Sequence, residues 1–125
     1  MHIKKARQIL KSFADDTRLR IINLLNGKEL SVAELCEVLN KNQSNLSKHL
    51  ARLRLTGIVG DRREGSNVYY CLLKPKEKAH EELLNAITIG LAELETFKQD
   101  LERLKKLKKK QQAKMKLITK GGGRK

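Results

Sequence analysis

The sequence predicts a mainly α-helical fold with one β-hairpin, in the order α-α-α-α-β-β-α. Three observations support this prediction. Apolar residues recur three and four positions apart through most of the first half of the chain, which is helical spacing. The period then changes to two on either side of a glycine-containing turn, as in a hairpin. After Pro75 the helical spacing returns and continues towards the C-terminal end.

The first two helices are predicted from apolar stripes and end signals. Residues 3–13 form the first helix, and its stripe consists of Ile3, Ala6, Ile9, Leu10 and Phe13. Asp15 can cap a second helix, because its carboxylate can accept a hydrogen bond from a free N–H of the first turn. Gly27 can end that helix in the left-handed conformation. Glu29 and Leu30 are then expected to form a short extended link.

The third and fourth helices form a predicted helix-turn-helix. Ser31 and Glu34 have the spacing of a capping box. The apolar residues that follow fall at i, i+3, i+4 and i+7, and are Val32, Leu35, Cys36 and Leu39. This helix ends near Asn40, and the next helix begins after its N-cap Asn42 and ends at Gly57. Two helices joined by so short a polar turn are typical of DNA-binding proteins.

The fourth helix has an apolar face and a polar face. Its buried stripe is predicted to consist of Leu46, Leu50 and Leu53. At about 100° per residue, Ser44, Lys48 and Arg52 point away from that stripe. The outward face carries no carboxylate, and a helix of this kind fits the major groove of DNA. The candidate DNA-binding residues of this helix are Gln43, Ser44, Asn45, Ser47, Lys48, His49 and Arg52.

These side chains have different predicted roles. Gln43, Ser44 and Ser47 are candidate base readers, whereas Lys48 and Arg52 are candidate phosphate contacts. His49 lies on the flank of the helix, where it either contacts a phosphate or makes a hydrogen bond that seats the helix. The alternative interpretation is an ordinary surface helix with a solvated polar face.

The hairpin that follows is predicted to be the wing of a winged helix-turn-helix. Its strands are 58–63 and 67–73, joined by a turn at Glu64-Gly65-Ser66. The tip holds Arg62, Arg63 and Asn67, which suit the phosphate backbone or the minor groove. The alternative is a generic surface hairpin with solvated arginines.

A single long helix is predicted from Glu77 to about residue 110, with an apolar seam along its length. The seam contains the candidate dimerisation residues Leu84, Ile87, Leu91, Leu94, Phe97 and Leu101. A helix of roughly 50 Å is too long for a small domain to cover. We therefore expect it, with help from the first helix, to pair with a second copy of the chain. Gly90 either permits close approach of two backbones or is a tolerated weak point.

The positive charge is concentrated at the C-terminal end. The chain has a formal net charge of +14, which favours a polyanionic partner. Residues 103–125 hold eleven Lys and Arg and no acidic residue, whereas 1–102 hold 17 Lys and Arg against 14 Asp and Glu. The predicted organisation is a winged domain at 1–102 and a basic tail at 103–125, a frayed helix passing into disorder. The tail is either an electrostatic anchor on nucleic acid or a solvated extension.

Two further observations concern location. No apolar run is long enough to cross a bilayer, and the N-terminal residues lack the apolar segment of a signal peptide. The two cysteines do not form a CxxC or a zinc-type spacing, which suits a reducing compartment. We expect a cytoplasmic protein that does not interact with membranes.

Three segments resemble a known family. They are 13–22, FADDTRLRII; 44–50, SNLSKHL, followed by Leu53 and 57–59, GIV; and 62–65, RREG, followed by 68–70, VYY. These segments resemble the second helix, recognition helix and wing of the ArsR/SmtB family of dimeric winged-helix repressors. Asp16 stands where the family usually has proline. The resemblance implies a cytosolic homodimer that leaves its operator when an inducer binds.

The comparison with metal-sensing members of that family argues against a metal site. Ser31 and Ala33 occupy the two positions where those members have cysteines. On the last helix only His80 is available, and Leu91 and Leu94 lie where further ligands would fall. A soft metal needs two or more thiolates or imidazoles that converge on it, so no metal and no other cofactor is predicted.

Sensing through a thiol remains an alternative. Cys36 lies on a predicted core face, where it would be a small buried apolar side chain, and the face of Cys71 is not assigned. The inducer itself is unknown from the sequence.

The predicted function is a sequence-specific transcriptional regulator, an inducer-released repressor that binds double-stranded DNA at an imperfect palindrome. A nonspecific nucleic-acid-binding architectural protein is one alternative, and a protein-interaction module that does not bind DNA is another. An enzyme is not expected, because no nucleophile lies near a base and an orienting acid in any motif of the sequence.

Overall fold

The winged helix-turn-helix prediction is confirmed by a computed structural model, which describes residues 1–122 and side chains through residue 118. Its elements are α1 (Ile3–Phe13), α2 (Asp16–Leu24), β1 (Leu30–Ser31), α3 (Val32–Leu39), α4 (Gln43–Leu55), β2 (Val59–Glu64), β3 (Asn67–Leu72), α5 (Lys78–Thr88) and α6 (Glu95–Gly122). The last part of the predicted basic tail, 123–125, lies outside the described residues. In the described part of the chain, no helix is both long and apolar enough to cross a membrane.

The helix starts follow the capping residues of the sequence. The Asp15 carboxylate accepts a hydrogen bond from the backbone N–H of Arg18 at 3.0 Å, which begins α2. Ser31 and Glu34 form the predicted capping box of α3. The core is centred on α2, where Ile21, Ile22 and Leu24 are completely buried. Helix α2 is therefore a central helix, and α1, α4, α5 and α6 pack against it.

The sheet has three antiparallel strands in the order β1-β3-β2, one more than the hairpin that was predicted. Leu30 of β1 pairs with Tyr70 and Ser31 pairs with Tyr69, so the segment expected to be a link is an edge strand. The prediction missed β1 because two residues are too few to show a period of two. The pairing joins the base of the wing to the start of α3.

The prediction of a single long final helix was wrong. The chain turns between α5 and α6, over residues 89–94. Gly90 lies in this turn, and a Cβ added there would collide with the carbonyl oxygen of Ala86. Only glycine fits this backbone without a shift, so Gly90 permits the end of α5.

Helix α6 packs on α2 and α3 of its own chain, which corrects part of the dimerisation prediction. Phe97 is 2% exposed and faces its own core, so it is not available to a partner in this fold. Of the other predicted seam residues, Leu84 and Ile87 are buried, Leu91 and Leu101 are partly buried, and Leu94 is 45% exposed.

The predicted boundary between residues 102 and 103 falls inside α6. Leu104 and Leu107 lie beyond that boundary and are 3% and 8% exposed, so the folded core extends at least to residue 107. The helix continues to Gly122, where fraying into disorder had been expected.

Candidate nucleic-acid interface

The polar face of α4 is exposed and rests on a fully buried apolar face. Leu46, Leu50 and Leu53 are each 1% exposed or less, as the stripe predicted. The Asn42 side chain accepts a hydrogen bond from the backbone N–H of Asn45 at 2.8 Å and caps the helix. The exposed predicted residues are Gln43, Ser44, Asn45, Ser47, Lys48 and Arg52. The helix therefore presents hydrogen-bonding groups and positive charge on one continuous face.

The turn before α4 sets the angle between the two helices of the motif. Asn40 ends α3 with φ of 53°, in the left-handed region that asparagine tolerates better than most residues. The backbone N–H of Lys41 then bonds to the carbonyl oxygen of Cys36 at 3.1 Å. These contacts fix the first turn of α4 relative to α3.

His49 is a seating residue in this geometry. It is half-buried, and its Nδ1 lies 3.1 Å from Arg18 Nη1 and 3.5 Å from Asp15 Oδ2. Burial alone would raise the pKa of Asp15, but its hydrogen bond from the Arg18 N–H and the nearby His49 and Arg18 outweigh burial, and the pKa is lowered. His49 thus joins α4 to the start of α2, and the second of its two predicted roles fits the structure.

The two wing arginines have different surroundings. Arg62 donates hydrogen bonds to both carboxylate oxygens of Glu29, at 2.6 to 2.9 Å, and to Glu64 at 2.7 Å. Its guanidinium also lies 4.6 Å from the ring centre of Tyr69. The hydrogen bonds from Arg62 to these carboxylates raise its pKa. The positive charge of Arg62 is therefore already paired with two carboxylates, whereas the predicted phosphate contact would use an unpaired charge.

Arg63 and Asn67 are exposed on the wing, and Arg63 forms no ion pair with any residue in the described range. Arg54 at the end of α4 bonds to Asp61 of β2 at 3.3 Å, so the recognition helix and the wing are connected directly. Sequence reasoning missed Glu29 and Arg54. The charges of both residues are evident in the sequence, but their partners are not. The strand order β1-β3-β2 is needed to bring Glu29 to Arg62.

The cysteines and histidines do not converge. Within residues 1–122, no group of three or more His, Cys, Asp and Glu side chains is arranged to hold a metal ion. Cys36 is half-buried, and burial raises the pKa of its thiol. His80 is 6% exposed, and its Nε2 has no hydrogen-bond partner in the part of the chain that the structure describes.

The chain is similar to known bacterial regulators. Residues 15–60 match the model of the family described as bacterial regulatory protein, arsR family. The transcriptional activator HlyU of Vibrio cholerae is 45% identical over 83 residues, which cover 66% of this chain and 77% of that protein. The arsenical resistance operon repressor of Escherichia coli is 46% identical over 66 residues, 52% of this chain and 56% of the repressor.

Solved structures agree with this relationship. The structure of HlyU from Vibrio cholerae has a TM-score of 0.58 and covers 66% of this chain and 89% of its own. A homodimeric winged helix-turn-helix DNA-binding domain from Mycobacterium bovis, a possible ArsR-family regulator, has a TM-score of 0.60 at 25% identity, covering 73% of this chain and 82% of that domain.

The family model spans α2 to α4 of this chain. The relatives include an activator and a repressor, and their common property is regulation of transcription. The chain therefore belongs to the ArsR family of DNA-binding winged helix-turn-helix transcriptional regulators and is not an enzyme.

Proposed function

We propose that the protein is a repressor that binds an imperfect palindromic site as a homodimer and is released by an effector. The observation that carries this proposal is the exposed, carboxylate-free polar face of α4 beside a wing that presents Arg63. A two-fold dimer would place two copies of α4 about one helical turn apart, roughly 10 bp. Because its proposed target is DNA, we expect it to act in the cytoplasm.

The exposed side chains suggest a division of labour in DNA binding. Gln43, Ser44 and Ser47 would read base edges from the first turns of α4. Lys48, Arg52 and Arg63 would bind phosphates. Asn45 and Asn67 are also exposed, and can donate to the backbone of the duplex.

Exposed apolar side chains support the homodimer. On α1, Ile3 is 79% exposed and Leu10 is 52% exposed. Near the turn between α5 and α6, Ile89 is 70% exposed and Leu94 is 45% exposed. Side chains of this size gain about 1.5–3 kcal/mol each on full burial, which a second copy can provide. The interface we propose therefore lies on α1 and around this turn rather than along a single long helix.

Sedimentation of matched charge variants tests the dimer. Leu10→Glu should give a folded monomer at micromolar concentration, because it places a charge in the proposed interface. Lys11→Glu is the control, since Lys11 is an exposed polar residue of the same helix. A wild-type protein that sediments as a folded monomer would contradict the homodimer.

Selection of genomic fragments tests sequence-specific binding. Fragments enriched on the immobilised protein should share an imperfect palindrome with half-sites about one turn apart. Fluorescence anisotropy should then give a much higher affinity for the palindrome than for a scrambled duplex. Equal affinities would instead support a nonspecific architectural protein, and absence of salt-sensitive binding would support an interaction module.

The sign of regulation and the effector need separate measurements. A reporter driven by the selected promoter should be more active when the regulator is deleted, whereas an activator would show the opposite. Zinc, cadmium and arsenite should not release the DNA, since Ser31 and Ala33 provide no thiolates at the start of α3. Oxidant-induced release that is abolished by Cys36→Ser or Cys71→Ser would support thiol sensing instead. The raised pKa of the Cys36 thiol disfavours that outcome.

A further inference from the structure

The distal half of α6 lies beside the wing. Beyond the buried Leu107, the Nζ atom of Lys108 bonds to Glu34 Oε2 at 2.5 Å, where Glu34 also caps α3. An open cleft of about 440 Å³ then separates α6 from the base of the wing. Its lining residues are Gln111, Lys114, Met115 and Ile118 of α6, and Glu29 and Tyr69 opposite them. Tyr69 is the residue on which Arg62 lies.

Contacts at the start of α6 hold it in this position. Asp100 is completely buried and accepts two hydrogen bonds from Arg20 of α2, both at 2.8 Å. Arg103 donates a third bond to Asp100 at 3.1 Å. Asn23 donates to the carbonyl oxygen of Phe97 at 3.2 Å. The direction in which α6 leaves the domain is therefore set by its packing and its buried polar contacts.

The outward surface of α6 is strongly basic. Between residues 104 and 118 the chain has no acidic side chain, and seven lysines lie in that range. Lys108 is bonded to Glu34, while Lys105, Lys106, Lys109, Lys110, Lys114 and Lys116 are exposed and form no ion pair with any described residue. At about 100° per residue, Lys105, Lys109 and Lys116 lie within about 40° of one another, whereas Lys110 and Lys114 lie about 40° apart on a different side of the helix. Lys114 lines the cleft beside the wing. So many unbalanced charges on one helix repel each other unless an anion neutralises them.

The wing itself offers little free charge on this side. Arg62 is balanced by Glu29 and Glu64, which leaves Arg63 as a free wing arginine in the described chain. A duplex bound by α4 and the wing carries one phosphate charge per strand about every 3.4 Å. Lys114 of distal α6 lines the cleft at the wing base and forms no ion pair with any described residue.

We propose that distal α6 is a second DNA contact, which binds the phosphate backbone of the duplex flanking each half-site on the wing side. This inference rests on the proposed binding of a palindrome. Lys110 and Lys114, which lie about 40° apart around the helix, would provide the contact, and the buried Asp100 would direct it. Because lysines bind phosphates as point charges, the contact adds affinity and salt dependence without sequence preference.

The test compares two duplexes and two full-length variants. The short duplex contains the selected palindrome, and the long one extends it by about one helical turn, ~10 bp, at each end. One variant carries Lys110→Gln and Lys114→Gln. The control carries Lys74→Gln and Lys76→Gln, which remove the same charge from exposed positions away from the cleft. Anisotropy is measured at several salt concentrations.

The wild type should bind the long duplex about tenfold or more tightly than the short one, with a steeper salt dependence. The distal variant should lose this advantage, and its slope of log affinity against log salt should fall by about 0.9 for each phosphate that is no longer neutralised. Its affinity for the short duplex should change less than twofold, and the control should keep the advantage.

Equal binding of both duplexes by the wild type would overturn the inference, as would an equal loss in the control. A distal variant that binds DNA normally but no longer binds vesicles rich in phosphatidylserine would assign the lysines to a membrane surface instead. If the wild type bound both duplexes no more tightly than scrambled DNA, the proposed function itself would be contradicted. This outcome differs from failure of the inference alone, in which the wild type still prefers the palindrome but binds the long and short duplexes equally.

Discussion

Helices α4 and α6 both present basic faces to solvent, but they are attached to the domain in different ways. The seat of α4 is mainly apolar, formed by Leu46, Leu50 and Leu53, and His49 adds one polar contact to α2 on its flank. The seat of α6 combines Phe97, Leu104 and Leu107 with two ion pairs, Arg20–Asp100 and Lys108–Glu34. The first kind of contact is nondirectional and almost independent of salt, whereas the second depends on charge.

The difference suits the tasks that we propose for the two helices. A helix that reads base edges must keep its side chains in fixed positions, and tight apolar packing provides this. A helix that binds phosphates needs less precision, so a charged seat is tolerated. Burial alone would raise the pKa of Glu34, but hydrogen bonds from Lys108 and the Ser31 N–H outweigh burial, and its pKa is lowered. A carboxylate of this kind stabilises the fold above its unfolded pKa, and that stabilisation is lost as the pH falls through its lower folded pKa.

The largest effect is expected from the seat of α4. Leu50→Ala should lower the free energy of unfolding by about 2–5 kcal/mol, because it leaves a cavity in a tightly packed core. Urea unfolding followed by circular dichroism measures this change. Leu55→Ala is the matched control in the same helix, since Leu55 is 85% exposed. A loss of less than about 1 kcal/mol in Leu50→Ala would show that α4 is not held by its leucines.

A smaller and more local effect is expected from the seat of α6. Asp100→Asn should cost about 2 kcal/mol, because Arg20 loses a charged hydrogen-bond acceptor in a buried site. Amide hydrogen exchange should accelerate in 97–110, while the amides of α4 keep their protection. Glu102→Gln, on the exposed side of the same helix, should change neither. Equal acceleration in both helices would mean that they unfold as one unit.

DNA binding should separate the reading residues from the phosphate contacts. Ser44→Ala should reduce the preference for the operator over a scrambled duplex by about 1–3 kcal/mol, if its hydroxyl makes one good hydrogen bond to a base. Arg63→Gln should weaken both duplexes alike and reduce the salt slope by about 0.9 for each phosphate that Arg63 neutralises. Anisotropy titrations measure both quantities. If Arg63→Gln changed the preference and Ser44→Ala did not, the assignment of roles would be reversed.

The smallest expected effect is a pH dependence from His80. Burial lowers its pKa from the ordinary 6.5, and nearby Lys5 acts in the same direction, while Glu77 opposes them. The imidazole of His80 therefore binds a proton more readily in the unfolded chain than in the folded one. The contribution of neutral His80 to the free energy of unfolding is fully present above the pKa of the unfolded state, and it is lost as the pH falls towards the lower pKa of the folded state. Unfolding free energies between about pH 5 and 7.5 should show this decrease in the wild type and a flatter profile in His80→Leu. His2→Asn, at an exposed position, should match the wild type.

The parts of the protein that are specified locally could be predicted from the sequence. The cap Asn42, the leucine stripe and Gly57 determine where α4 begins, which face it buries and where it ends, because each acts within one or two turns of helix. The capping box of α3 and the change of period at the wing are local in the same way. The exposed polar face of α4 follows from these features alone.

The contacts between distant segments required the folded chain. Arg20 and Asp100 are 80 positions apart, and Arg62 and Glu29 are 33 apart, so neither pair could be chosen from among the other charges of the sequence. Of the apolar residues predicted to form a seam, Leu84, Ile87, Phe97 and Leu104 are buried within the chain, because spacing predicts an apolar face but does not specify the surface that covers it. The turn around Gly90 lets α6 pack on α2 and α3 of its own chain. This packing buries Phe97 in the core and brings Lys108 and Lys114 to the cleft beside the wing.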